Sequence, residues 1–218
     1  MLENYVNELK KVKTDIKELL NGLESANTLI YEALYECDKD KFTKAKSYIK
    51  NISSKTDAID NSIIKLLALY APEATDLREV VSYLKMTNEI LRACTNTRSF
   101  IRGLLEVCDY IDKNAINEYA MPLQNSTLKA IKIVNSMLDT DCVDDLQDCF
   151  NEVLIEENKT DDLYELLEKA ILDESNDNFE KVHTILRAFR KSEKIADRAI
   201  SMANLLVYIK VGGTMQRV

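Results

Sequence analysis

Glu193 and Asp197 lie one helical turn apart in the stretch FRKSEKIADRAISMANLLVYIKVGG, beside a long apolar stripe. At 3.6 residues per turn, side chains at i and i+4 stand about 40° apart, so the two acids share one face. Like charges at that spacing repel by roughly a few tenths of a kcal/mol on an exposed helix, and by more near a core. A cation bound between carboxylates would offset the repulsion. So would a Lys or Arg, and the basic residues of FRKSEK compete for that role across the bundle.

A second pair, Glu157 and Asp161 in IEENKTDDLYELL, has the same spacing. On sequential antiparallel helices the two pairs can face each other. Four converging carboxylates make an oxygen-rich site suited to Mg²⁺, Mn²⁺ or iron. Spacing alone is weak ground for a metal, because the chain carries 37 acids and E-x-x-x-D is more commonly part of a solvated face.

The elements that position these acids read as helices throughout. Only 4 Gly and 2 Pro occur in 218 residues, so turns are few and elements long. Apolar residues recur at three- and four-residue steps, as at Leu2, Val6, Leu9, Ile16, Leu20 and Leu23. A second helix carries Ala45, Ile49, Ile52, Ile59 and Ile63 up to Pro72, and a third starts near Thr75 and Asp76. Three more follow: one disturbed at Pro122, one holding Glu157 and Asp161, and a last closed by Gly212 and Gly213. The expected fold is all-α: six long antiparallel helices forming two tandem three-helix bundles, residues 1–110 and 111–218, packed as one unit.

The net charge of −8 disfavours nucleic acid and direct adsorption to anionic membranes. No apolar run is long enough to cross a bilayer, and no signal peptide opens the chain, so a cytoplasmic protein is expected. Cys37, Cys94, Cys108, Cys142 and Cys149 sit among apolar neighbours without a C-x-x-C, and read as buried free thiols. The 10 tyrosines, among them Tyr31, Tyr35, Tyr48, Tyr70 and Tyr83, read as core or groove aromatics. The lone His183 has no nucleophile to serve and cannot supply a duplicated Glu-x-x-His box. No glycine-rich phosphate loop occurs. A metal-dependent hydrolase therefore has no visible nucleophile or base.

Two stretches resemble the PhoU family. SEKIADRAISMANLLVYIKVGG is similar to the family's closing helix, and LLALYAPEATDLREVVSYLKMTNEILR to its first repeat, through Pro72, Ala74, Asp76, Leu77, Arg78, Lys85 and Arg92. The resemblance implies a cytoplasmic, non-enzymatic, all-helical adaptor in phosphate homeostasis, built from two similar bundles and peripheral to the membrane through its partners. Those partners would be a phosphate ABC transporter ATPase and a membrane sensor histidine kinase. It implies a homodimer or higher oligomer, partner contacts at Asp76, Arg78 and Arg92, and metal held by paired E/D-x-x-x-D motifs. Glu157, Asp161, Glu193 and Asp197 match those motifs in the second bundle. In the first bundle the matching positions are Ile49, Ser53, Leu91 and Thr95, and Ser99 and Ser201 stand where the family has Asn. Apolar groups and hydroxyls do not replace anionic ligands for a hard cation, so one metal site is expected, in the second bundle, holding iron, manganese, magnesium or zinc. The lost acids also leave room for a divergent accessory of another membrane transporter or signalling partner. Asp76 and Arg78 read equally as an N-terminal helix residue and an interhelical salt bridge.

Overall fold

The computed structural model describes residues 2–174 and 179–213, and among these no strand occurs. Helix α1 spans Leu2–Leu34 and is followed by α2, Lys39–Tyr48. The turn between them is set by Asp38, whose side chain accepts the Lys41 amide at 2.9 Å. Helix α3 spans Ile52–Tyr70 and α4 Ala74–Val107.

The second helix expected from the sequence is thus two helices. The apolar period runs on through the break, because Ile49 and Ile52 are both buried on either side of it. What interrupts the backbone is local: Asn51 is left-handed (φ 57°), a conformation Asn tolerates better than most residues. The kink is also held from outside. Arg98 of α4 donates to the Ile49 carbonyl at 3.0 Å. Gly22 of α1 gives the end of α2 room, since a Cβ there would stand 2.8 Å from the Tyr48 oxygen.

Helix α4 begins at Ala74, one residue before the expected start, with Asp76 in its first turn. After a 3₁₀ turn at Cys108–Tyr110 come a short helix α5, Lys113–Ala115, a π turn at Ile116–Ala120, and α6, Met121–Met137. The π turn lies directly ahead of Pro122. A proline inside an α-helix removes one bond and crowds the preceding turn, and the wider π turn takes up that disturbance. Helices α7, Val143–Glu174, and α8, Phe179–Val211, complete the chain. Gly212 and Gly213, both at positive φ, close α8 as expected, and the Gly212 amide bonds the Tyr208 carbonyl at 3.0 Å.

The most extensive helix pairing joins α4 to α8, across the N- and C-terminal halves. Gly103 makes it close: a Cβ there would lie 2.6 Å from the Cβ of Ala188. Phe100 and Phe189 meet edge to face beside it, with ring centroids 5.3 Å apart. A buried polar set ties four helices together. Asn27 Nδ2 donates to Thr97 Oγ1 at 3.3 Å, and Gln124 Nε2 donates to Asn27 Oδ1 at 3.2 Å. Ser192 Oγ donates to Gln124 Oε1 at 2.7 Å and lies 3.1 Å from Thr127 Oγ1. Such a chain stabilises one helix register because a shift would leave each member unpaired.

Two side-chain expectations need correction. All five cysteines are free, but only Cys94 and Cys108 are buried, and Cys142 is exposed in the α6–α7 connection. Tyr83 is in the core, whereas Tyr35, in the turn after α1, and Tyr48, at the end of α2, are exposed. No helix of the described chain is long and apolar enough to cross a membrane.

Candidate metal centre

Helices α7 and α8 pack against each other along their length. Neither breaks at the acids, so Glu157 and Asp161 are one turn apart on α7, as are Glu193 and Asp197 on α8. Glu157, Asp161 and Asp197 converge: one carboxylate oxygen from each lies within 4.8 Å of the others. Glu193 stands outside this group. It is buried to 3% exposure.

Lys194, whose importance the acid spacing did not reveal, links the two acids of α8. Its Nζ donates to Asp197 Oδ2 at 2.7 Å and to Glu193 Oε1 at 3.1 Å. Arg190 Nε lies 3.3 Å from Glu193 Oε2, but that oxygen is buried and receives no hydrogen bond. Arg190 and Lys194 of FRKSEK therefore form their ion pairs with acids of their own helix. The sequence signal was present: Lys194 is three residues before Asp197, a spacing that places both on one face. Arg198 does reach across, from α8 to Glu89 of α4 at 3.0 Å.

The electrostatics follow from crowding. Burial, and then the charge of Asp197, push the Glu193 carboxyl up to about 7. Glu157 is also raised, first by burial and then by Asp161 and Asp197. Burial works against the charge of Lys194, but its hydrogen bonds to Asp197 and Glu193 outweigh this and raise its pKa. Four carboxylates crowd together, and Lys194 supplies part of the compensating charge.

These donors fit a hard cation. All three are carboxylate oxygens, the type that binds Mg²⁺, Mn²⁺ or Fe²⁺. Zinc's usual histidine and cysteine partners are elsewhere: His183 stacks on Phe179, ring centroids 6.2 Å apart, in a separate cavity with Glu106 and Tyr110.

The proposed partner-contact residues lie elsewhere. Asp76 is exposed at the start of α4. Arg78 is half-buried, donates to Thr75 Oγ1 at 3.1 Å, and packs on Gly212, where a Cβ would stand 3.3 Å from its Cζ. Arg92 is exposed, with its Nη1 4.0 Å from Glu89 Oε1. Sixteen residues at 1.5 Å rise place Arg92 roughly 24 Å along α4 from Asp76, so these residues do not form one cluster.

Comparison with known proteins gives a consistent picture. The PhoU domain family matches residues 16–100. The phosphate-specific transport system accessory protein PhoU of Escherichia coli K12 is 21% identical over 221 residues, covering 97% of this chain and 87% of that protein. Its counterpart from Edwardsiella tarda is 21% identical over 215 residues, covering 94% and 84%. Among solved structures, the phosphate transport system regulatory protein PhoU of Streptococcus pneumoniae aligns with a TM-score of 0.81 at 17% identity, over 98% of this chain and 99% of that one. PhoU of Pseudomonas aeruginosa aligns with a TM-score of 0.74 at 18% identity, over 97% and 98%. Residues 16–100 thus match the PhoU domain family, and the chain shares the all-α fold of the solved PhoU structures along its length.

Proposed function

We propose that this chain is a non-enzymatic regulatory adaptor of a phosphate transport system, built of two repeats, 1–110 and 111–218, with one divalent-cation site in the second. The observation that carries the reading is the extent of the likeness. Proteins named as accessory to phosphate-specific transport align with 97% of the chain, and 87% of the E. coli protein is covered.

The partners that fit this role are the ATPase of a phosphate ABC transporter and a membrane sensor histidine kinase, met at the inner face of the membrane by a homodimer. Asp76, Arg78 and Arg92 are candidates for those contacts. The cation, magnesium, manganese or iron in preference to zinc, would be held by Glu157, Asp161 and Asp197. When bound, it would neutralise the three carboxylates and hold α7 to α8. Glu193 would anchor the freed Lys194, since ammonium and cation compete for the Asp197 carboxylate.

One feature favours a second reading, an accessory of another membrane transporter or signalling partner. The first repeat has Ile49, Ser53, Leu91 and Thr95 where the family carries acids. Affinity capture of the full chain from its own cells separates the two. Recovery of a phosphate-transporter ATPase or sensor kinase, together with a phosphate-starvation reporter switched on at high phosphate when the gene is deleted, supports the first. Recovery of a different transporter supports the second. An unchanged reporter with no transporter component recovered contradicts both.

A further inference from the structure

The break between α2 and α3 has the opposite character to the acidic centre. It lines a cavity of about 510 Å³ whose walls include Lys46, Lys50, Arg98, Asn51, Ser53 and Ser54, and no acidic side chain. Among the described residues, no carboxylate lies within 4.0 Å of any of these three cations. A cluster of like charges without counter-charge is unfavourable in itself. It is unexpected in a chain of net charge −8, where carboxylates are plentiful.

Arg98 is positioned for recognition. One nitrogen of its fork is fixed on the Ile49 carbonyl at 3.0 Å, which orients the guanidinium across the break. A guanidinium carries five N–H donors, so several are left for a ligand. A planar fork, two ammonium groups and serine hydroxyls form the donor set that recognises phosphoryl oxygens. Sites for small organic molecules begin at about 300 Å³. A cavity of about 510 Å³ therefore admits a phosphoryl group with an organic body as well as inorganic phosphate.

We propose that the α2–α3 break binds a phosphoryl oxyanion, either inorganic phosphate or the phosphate end of a small phosphorylated molecule, through Lys46, Lys50 and Arg98. The site does not depend on the cation centre. The test is calorimetric titration of the EDTA-treated full chain with inorganic phosphate and, separately, with magnesium-free ATP. Saturable binding of at least one probe is expected, weakened at least about tenfold in Lys46→Gln/Lys50→Gln and unchanged in Glu157→Gln. Phosphate binding identifies the inorganic source, and binding of ATP alone identifies an organic one. Arg98→Lys, which keeps the charge and removes the fork, is expected to bind more weakly with its helical circular dichroism retained. Failure of both probes to saturate, or wild-type affinity in Lys46→Gln/Lys50→Gln, overturns the proposal.

Discussion

The surroundings of Asp161 and of Ser53 show how one helical architecture can carry opposite chemistry. On the C-terminal side, α7 runs unbroken through Glu157 and Asp161, and their carboxylates project together towards Asp197. On the N-terminal side, the positions that the family resemblance aligns with them are Ile49 and Ser53, and the helix breaks between the two. Ile49 is buried in the core and its carbonyl is held by Arg98. Residue type and backbone continuity changed together. A paired-carboxylate motif needs an intact turn, and the N-terminal half has neither the acids nor the turn.

The contrast depends on both halves being held in one frame, and the largest expected effect comes from disturbing that frame. Gly103→Val forces a side chain against Ala188 at the α4–α8 crossing. It should cost about 3 kcal/mol in urea denaturation, with both halves destabilised in a single transition. Two transitions, or no loss, would show that the halves are not coupled there.

Removing the internal cation comes next. Lys194→Met leaves Glu193 and Asp197 without their shared donor. It should destabilise the metal-free chain by about 1–2 kcal/mol at neutral pH and tighten manganese binding, because the ion no longer displaces an ammonium. Weaker manganese binding in this variant would mean that Lys194 supports the site instead of competing for it.

A smaller effect should appear in the pH dependence. Glu193 is raised from 4.5 to about 7 in the folded chain, so the folded state holds its proton more tightly than the unfolded state does. Its contribution to stability is therefore full below about 4.5 and is lost as pH rises towards about 7. Metal-free wild type should lose stability across that window relative to Glu193→Gln. Parallel stability–pH curves for the two would contradict the raised pKa.

The smallest expected effect on cation binding is a null, although a carboxyl at the buried Ile49 itself destabilises the fold. Ile49→Glu/Ser53→Asp restores acids to the N-terminal half but not the helical turn between them. It should bind no additional manganese by mass spectrometry. An extra equivalent would show that charge alone, and not helix continuity, decides where the cation sits.

Much of the fold was legible in the sequence. The three- and four-residue apolar period, two prolines and a Gly-Gly end placed the helices, and Gly212–Gly213 and Pro122 marked an end and a disturbance. The α2–α3 break was hidden because burial of Ile49 and Ile52 keeps the apolar pattern continuous, while the break depends on Asn51, Gly22 and the distant Arg98. At the site, i to i+4 spacing brought Glu157, Asp161 and Asp197 to notice. It did not distinguish Glu193, whose burial and separation from the other three come from packing. Lys194 was legible as one of the FRKSEK cations, but its pairing was expected across the bundle and runs along α8 to Asp197.

The most direct measurement is manganese titration of the EDTA-treated chain beside Asp161→Asn/Asp197→Asn. One equivalent bound by wild type and lost in the double variant is the result expected of a single carboxylate centre between α7 and α8. No manganese binding by wild type, or full binding retained in the variant, would leave the acids as a salt-bridged surface organised by Lys194.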